Sequence, residues 1–231
     1  MKKIRPANSY NLFTKAVKSI LMIFKKTPDI IYAEEPLPSK AIYIANHRGA
    51  AGPLTISMYF PKALVPWGAH PMTEKYGKRW HYLYHIFYQQ KLKYSKMRSW
   101  ILATLFAIIS KQLYKGVQLI PTYTDIRLKT SINQSLKHLE MGNSILIFPE
   151  DSEDGYHDHM TSFHAGFIYL AEKYHERFKE HIAIVPMYYH KVKQTIYVDK
   201  AYTIDNLRHL KGRKDKAQAF KDIINSYKNN N

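Results

Sequence analysis

The sequence predicts an α/β fold in which a mostly parallel central sheet is flanked by helices and preceded by an N-terminal amphipathic helix. Several short apolar runs, some rich in β-branched residues, are typical of buried strands. Segments with helical periodicity alternate with these runs, and the connections are short, as in an α/β sheet covered by helices. The chain of 231 residues is long enough for a full hydrophobic core. We predict an N-terminal helix and connector over 1–39 and an α/β domain over 40–231.

The first helix is predicted from an apolar face that begins at Leu12 and is surrounded by lysines. Thr27 and Pro28 end it, because proline cannot continue a helix and restricts the residue before it. Two interpretations remain open: the helix packs on its own domain, or it lies on an anionic membrane surface. The longest uncharged apolar run, 100–109, is shorter than the roughly 20 residues that a spanning helix needs. We therefore expect no conventional transmembrane helix.

The remaining elements are predicted from the same two patterns. Apolar runs predict strands over 41–45, 117–121, 144–148, 182–186 and 195–198. Helical periodicity and apolar composition predict helices over 54–59, 98–114, 129–139, 163–174 and 213–227. Between the first two of these helices, residues 67–97 are dense in aromatic and basic side chains and show little periodicity.

Composition limits the function classes. Lys and Arg number 35 against 18 Asp and Glu, a net charge of +17, so the surface attracts polyanions such as anionic lipids, nucleic acid or acidic proteins. The 14% aromatic content suits both membrane interfaces and nucleic-acid stacking. No Cys is present, which excludes disulfides, thiolate metal sites and a cysteine nucleophile, and fits a reducing compartment.

Two groups of polar residues follow predicted strands directly. Asn46 and His47 come after the strand 41–45 and lead into a turn rich in small residues. Glu150 and Asp151 come after the strand 144–148. Because ligand clefts in open α/β sheets form beyond the carboxyl ends of the strands, both groups are candidate site residues. Histidine has a pKa near 7, which suits a general base.

An acidic stretch with neighbouring histidines follows Glu150 and extends through Glu153, Asp154 and Asp158. It has two interpretations: part of a site, or a solvated loop. The string His157-Asp158-His159 suggests a metal, but its spacing matches no helical ligand pair and no Cys supports it. We therefore expect no metal site.

Taken in order, these motifs resemble the glycerolipid acyltransferase family, in its 1-acylglycerol-3-phosphate acyltransferase-like form. Residues 132–166 (INQSLKHLEMGNSILIFPEDS…FHAGF) carry most of the resemblance, which extends over about 40–204. It implies transfer of a fatty acyl group from an acyl thioester to a lipid hydroxyl, with His47 as general base and Glu150 as a second catalytic residue. It also implies a set of substrate-binding positions: Asn46, Arg48, Gly52, Thr122, Pro149, Asp151 and Gly166.

Three positions depart from the family pattern. Gly52 stands where the family has an Asp five residues after the His, and Glu150, Asp151 or Asp154 could reach His47 from the neighbouring strand end in its place. Thr122 stands where an Arg binds the acceptor phosphate, and Asp151 replaces a Gly. The last two changes weaken attraction to a phosphate monoester, so we do not expect lysophosphatidic acid as acceptor. Cations that could compensate are Arg48, Lys115 and Arg127.

The resemblance also implies partners and location. The acyl donor is a thioester of coenzyme A or of acyl carrier protein. This donor is a substrate, and no bound cofactor is expected. We expect a peripheral protein at the cytoplasmic face of an anionic membrane, with contacts along 12–24 and 75–111, and no nucleic-acid partner. Two alternatives remain: a non-catalytic acyl- or lipid-binding relative, and a nucleic-acid-binding module based on the net charge and the Tyr-rich stretch 82–96.

Overall fold

The computed structural model describes residues 4–6, 12–151, 155–156 and 159–229. Within these residues a seven-stranded sheet forms the centre, in the order β1-β7-β6-β2-β5-β3-β4. Only β6 and β7 pair antiparallel among the described strands; every other neighbouring pair is parallel. The predicted fold class is therefore confirmed. The strands are β1 Asp29–Tyr32, β2 Ala41–Ala45, β3 Leu64–Ala69, β4 Ile120–Thr122, β5 Ser144–Ile147, β6 Ala183–His190 and β7 Thr195–Val198.

Helices cover the sheet and connect its strands. The α-helices are α1 Leu12–Phe24, α2 Ala51–Tyr59, α3 Tyr76–His81, α4 Lys96–Gly116, α5 Leu128–Glu140, α6 Gly166–Phe178 and α7 Arg213–Ser226. A π-helix, Tyr82–Lys91, continues directly from α3, and short 3₁₀ turns lie at His70–Thr73, Ile204–Leu207 and Tyr227–Asn229.

The core divides into layers because successive side chains of a strand point to opposite faces. In β2, Ile42 and Ile44 pack against the helices α5, α6 and α7, whereas Tyr43 lies on the opposite face with residues of α2. All five residues of β2 are fully buried. This central position explains why β2 is a continuous apolar run, as expected of a parallel strand covered on both faces.

A third cluster, separate from both faces of the sheet, forms a cap on the chain between β3 and β4. It consists of α3, the π-helix and α4, with Leu83, Ala103 and Ala107 buried at its centre. The end of the π-helix reaches the turn that follows β2, where Leu92 lies 3.0 Å from the position that a Cβ on Gly49 would take. The cap therefore contacts the carboxyl edge of the sheet.

Two strands were not predicted. β1 is a half-exposed edge strand of four residues, too short and too mixed in burial to produce a clear pattern. β3 contains Pro66 and Gly68, which are unfavourable in strands, and its place is determined by its pairing with β5 and β4. The predicted division at residue 39 is not tested by these features and stays a prediction.

Several predicted boundaries were wrong by three or four residues: α2 begins at Ala51 and not at 54, α6 ends at Phe178 and not at 174, and β6 ends at His190 and not at 186. The helix expected to begin at residue 163 begins at Gly166, because Phe163 pairs with Glu150 as an isolated β-bridge. The strand expected to begin at residue 117 begins at Ile120, because α4 continues through Gly116. No helix among the described residues is both long enough and apolar enough to cross a bilayer.

Candidate active site

His47 lies just beyond the carboxyl end of β2, close to the middle of the sheet. Its neighbour Asn46 is buried, and the Asn46 side chain bonds in both directions to the backbone of Tyr189 on β6: Nδ2 donates to the carbonyl at 3.1 Å and Oδ1 accepts from the N–H at 2.7 Å. Arg48 and Gly49 then take left-handed backbone conformations, with φ of +47° and +67°. These contacts and this sharp turn fix where His47 leaves the sheet.

Glu150 joins the second predicted motif to the first. It follows β5, which pairs with β2, and its Oε2 accepts a hydrogen bond from the backbone N–H of His47 at 3.1 Å. The carboxylate is buried, and the backbone of Glu150 pairs with Phe163. The two motifs therefore meet at one edge of the sheet, where the carboxylate of Glu150 contacts the backbone N–H of His47.

The imidazole of His47 lies between aromatic rings. Tyr156 stacks on it, with ring centroids 4.4 Å apart and planes 15° apart, and Phe148 meets it edge-on at 5.0 Å. Nδ1 is buried and has no hydrogen-bond partner within the described part of the chain. Burial lowers the pKa of His47 to about 4, the backbone of Gly49 opposes this shift, and the charge of Lys91 adds to it. The side chain is therefore neutral at physiological pH.

Gly52 lies in the first turn of α2, packed against the backbone of the turn. A Cβ at this position would lie 2.5 Å from the carbonyl oxygen of His47 and 2.8 Å from that of Asn46. Neither oxygen belongs to a flexible side chain, so the turn has no room for any side chain at residue 52. Of the carboxylates that could replace the missing Asp, Asp151 lies 3.9 Å from Nε2 of His164, and Asp154 lies outside the described residues.

The remaining predicted substrate-binding residues lie around the same edge or make backbone contacts. The Pro149 carbonyl accepts from the His164 N–H at 2.8 Å, and the Asp151 N–H donates to the Ser162 carbonyl at 3.1 Å. These two bonds close the loop that follows β5. Further along the sheet, Thr122 Oγ1 donates to the carbonyl of Gly68 at 3.0 Å, and a Cβ on Gly166 would lie 3.3 Å from the ring of Trp67.

The cations that could replace the phosphate-binding Arg differ in position. Arg48 is next to His47, and its charge acts on Tyr188 of β6. Arg127 forms a close ion pair with Asp125, 2.6 Å between Nη2 and Oδ2. Lys115 precedes β4 and so lies towards the opposite edge of the sheet. Of these three, Arg48 is the one adjacent to the candidate base.

A cavity of about 470 Å³ lies in the cap, next to the carboxyl end of β3. His47 is not among its lining residues, which are His70, Pro71, Glu74, Gly77, Lys78, His81, Tyr82 and Ile86. The His70 ring stacks on Tyr123, which follows β4, at 4.9 Å. The cavity therefore opens near the same edge of the sheet as His47 but two strands away.

Sequence reasoning missed Tyr156 and Lys91 as residues near His47. Both positions depend on how the loop after Glu150 and the π-helix lie over the sheet, and neither has a local sequence signal. Of the metal-binding possibility, His157 and Asp158 lie outside the described residues. Across the ranges that are described, no group of three or more His, Asp or Glu residues is arranged to hold a metal ion.

Comparison with known proteins supports the fold. Neither protein-family models nor curated protein sequences match this chain. Among solved structures, the chain is similar to PlsC from Thermotoga maritima, the 1-acyl-sn-glycerophosphate (LPA) acyltransferase, with a TM-score of 0.51 and 10% sequence identity. The match covers 94% of this chain and 75% of that one. At this identity the likeness is one of architecture, and the chain has an acyltransferase-like α/β fold.

Proposed function

We propose that this chain is an acyltransferase that moves a fatty acyl group from an acyl thioester to a lipid hydroxyl, with His47 as general base. The observation that carries the proposal is the position of His47: a neutral imidazole at the carboxyl edge of the sheet, attached through its backbone to Glu150. The acyltransferase-like fold of the neighbouring structure supports the same reaction class.

The reaction needs one base and one leaving thiol. A hydroxyl is a poor nucleophile at neutral pH, so the imidazole accepts its proton while the oxygen attacks the thioester carbonyl. The new C–O bond gives a tetrahedral oxyanion. We propose that Arg48, the residue after His47, stabilises this negative charge. When the C–S bond breaks, the imidazolium returns its proton to the departing sulfur, so the products are an ester and a free thiol.

The charge of the chain supports the proposed donors. Both coenzyme A and acyl carrier protein are polyanionic, and a net charge of +17 steers such partners towards the protein. The acceptor is proposed to be a lipid hydroxyl without a phosphate monoester. Thr122 supplies no cation at the position of the family Arg, and its hydroxyl is bonded to the backbone of β3.

Exposed apolar side chains support a location at the membrane surface. α1 packs against α4, and both helices expose large hydrophobic residues to solvent, including Ile23 and Phe24 on α1 and Leu105 and Ile108 on α4. Lysines interrupt both helices, which suits an anionic headgroup layer. We propose a peripheral attachment at the cytoplasmic face through these two helices.

The test is thiol release from acyl-CoA and from acyl carrier protein, with vesicles that carry a panel of lipid hydroxyls. Because the chain has no Cys, a thiol-reactive dye reports the released carrier alone. We expect acceptor-dependent release by the wild type, release at the uncatalysed rate by His47→Gln, and wild-type release by the control His209→Gln, whose side chain is exposed. Equal release by wild type and His47→Gln contradicts the proposal.

A second candidate is a non-catalytic acyl- or lipid-binding protein on the same fold. Gly52 favours it, because the turn leaves no room for the carboxylate that the family places there. This candidate predicts saturable binding of a fluorescent acyl-CoA by the wild type and by His47→Gln alike, with no thiol release from either.

A further inference from the structure

The imidazole of His47 must be held in one orientation if it is to act as a base, and the usual device is a carboxylate on Nδ1. Here Nδ1 is buried without a partner in the described chain, and residue 52 cannot carry a carboxylate. Glu150 reaches His47, but through the backbone N–H. The backbone of Gly49 interacts with the imidazole, and the plane of the ring needs a further restraint.

Two aromatic contacts supply that restraint. Tyr156 covers one face of the imidazole at 4.4 Å, nearly parallel, and Phe148 closes its edge at 5.0 Å and 66°. Stacked and edge-to-face pairs at these separations are the favourable arrangements for aromatic rings. Rotation of the imidazole about its Cβ–Cγ bond would break the stacking, so the two rings restrain the plane of the base.

From this geometry we propose that Tyr156 is a positioning residue that orients the His47 imidazole by stacking and thereby replaces the missing carboxylate. The proposal rests on the proposed function, since it assigns the partner of the proposed base. It differs from a carboxylate-paired histidine in one measurable respect: a carboxylate would raise the pKa of the imidazole, whereas an aromatic enclosure keeps it neutral to low pH.

The charged groups around His47 come from three elements. Lys91 approaches from the end of the π-helix, and its Nζ lies 5.8 Å from the centroid of the Tyr156 ring. Glu150 and Asp151 belong to the segment after β5, and Arg48 belongs to the turn itself. The phenol of Tyr188 lies on β6 near Arg48 and Glu150. Of these groups, Lys91 lowers the pKa of His47.

Titration of the His47 ring by NMR tests the proposal without requiring activity. The signal is assigned by its loss in His47→Gln and followed in the wild type, Tyr156→Phe, Tyr156→Leu and Asp154→Asn. We expect the wild type to titrate well below pH 6.5, Tyr156→Phe and Asp154→Asn to match it, and Tyr156→Leu to titrate higher because one ring face becomes open to water.

In the thiol-release assay, Tyr156→Leu should lower kcat roughly two- to tenfold at unchanged KM, and Tyr156→Phe should retain the wild-type kcat.

Two outcomes overturn the proposal. One is an unchanged titration and kcat in Tyr156→Leu. The other is a wild-type ring that titrates above pH 6.5 and shifts down in Asp154→Asn, which would identify a carboxylate as the partner; the wild-type and Asp154→Asn titrations decide this even if Tyr156→Leu does not fold. If the NMR pattern is as expected but no thiol is released by any protein, the stacking is correct and the proposed function is wrong.

Discussion

At the scale of single residues, Gly52 is explained by the backbone that surrounds it. A Cβ at this position would lie too close to the carbonyl oxygens of Asn46 and His47. The absence of a carboxylate at this position is therefore explained by the shape of the turn after β2. An Asp at residue 52 would need a different turn, which would displace His47.

Gly52→Ala should destabilise the protein by about 1–3 kcal/mol, because the turn must open to admit the new methyl group. Gly77→Ala is the matched control: Gly77 is also helical, and a Cβ there meets no atom within 4 Å. The control should be neutral or stabilising by up to about 1 kcal/mol, since alanine favours helices. Urea unfolding measures both, and equal stability of the two variants would contradict this account of the turn.

Glu150 is expected to matter for structure as well as for catalysis. Glu150→Ala removes the acceptor for the His47 N–H and should cost about 1–3 kcal/mol. Glu150→Gln keeps an oxygen that can accept this bond, so its cost should be smaller. Unfolding free energies of the three proteins check the order; a Gln variant as unstable as the Ala variant would show that the charge, and not the hydrogen bond, is what matters.

The meeting of His47 and Glu150 could be predicted from sequence, because each follows a buried apolar run and the ends of parallel strands lie at one edge. The stacking of Tyr156 on His47 could not be predicted. It depends on a loop that is closed by backbone hydrogen bonds from Asp151 and His164. Backbone hydrogen bonds do not require particular residue types, so the sequence does not predict them.

At the scale of elements, strand β2 illustrates why buried strands are predictable. It is apolar at every position because both of its faces are covered. β3 lies one strand beyond β5, but only its first two residues are buried, and its Pro66-Trp67-Gly68 sequence is not typical of a strand. The π-helix Tyr82–Lys91 could not be predicted from the sequence either, because its aromatic residues follow no α-helical period.

The packing of the first helix bears on one of the two interpretations that its sequence left open. α1 packs against α4, yet most of its large apolar residues remain exposed, with Phe24 81% exposed. An exposed apolar surface flanked by lysines is typical of a membrane contact. One side of α1 therefore packs on the protein, and a lipid contact on its exposed side stays a prediction.

Phe24→Glu should weaken binding to anionic vesicles by about tenfold or more, because it removes a large apolar group from the lipid contact and adds a repelled charge. Val192→Glu is the matched control, since Val192 is 84% exposed in the turn between β6 and β7. Co-sedimentation with vesicles compares the two. Equal weakening by both substitutions would place the effect in the net charge and not in α1.

At the scale of the whole molecule, two histidines with lowered pKa values connect stability to pH. Burial lowers the pKa of His47 and of His138 to about 4. Between about pH 6.5 and pH 4 the unfolded chain therefore binds protons at these positions that the folded chain does not bind. The free energy of unfolding should fall as the pH is lowered through this window, by an amount on the order of a few kcal/mol.

Urea midpoints at pH 4.5 and pH 7 measure this loss. The double variant His47→Gln/His138→Gln should lose less stability between the two pH values than the wild type. His209→Gln, at an exposed position, should lose as much as the wild type. The same loss in the double variant would assign the acid sensitivity to repulsion among the excess positive charges instead.

The most direct test of the central claim is detection of the ester itself. Purified protein is incubated with either acyl-CoA or acylated acyl carrier protein and with anionic vesicles that contain lipids with free hydroxyls, and the lipids are examined by mass spectrometry. The account predicts a new acylated lipid with the wild type and none above background with His47→Gln. An equal yield of ester from both proteins, or none from the wild type with either acyl-CoA or acyl carrier protein, would contradict it.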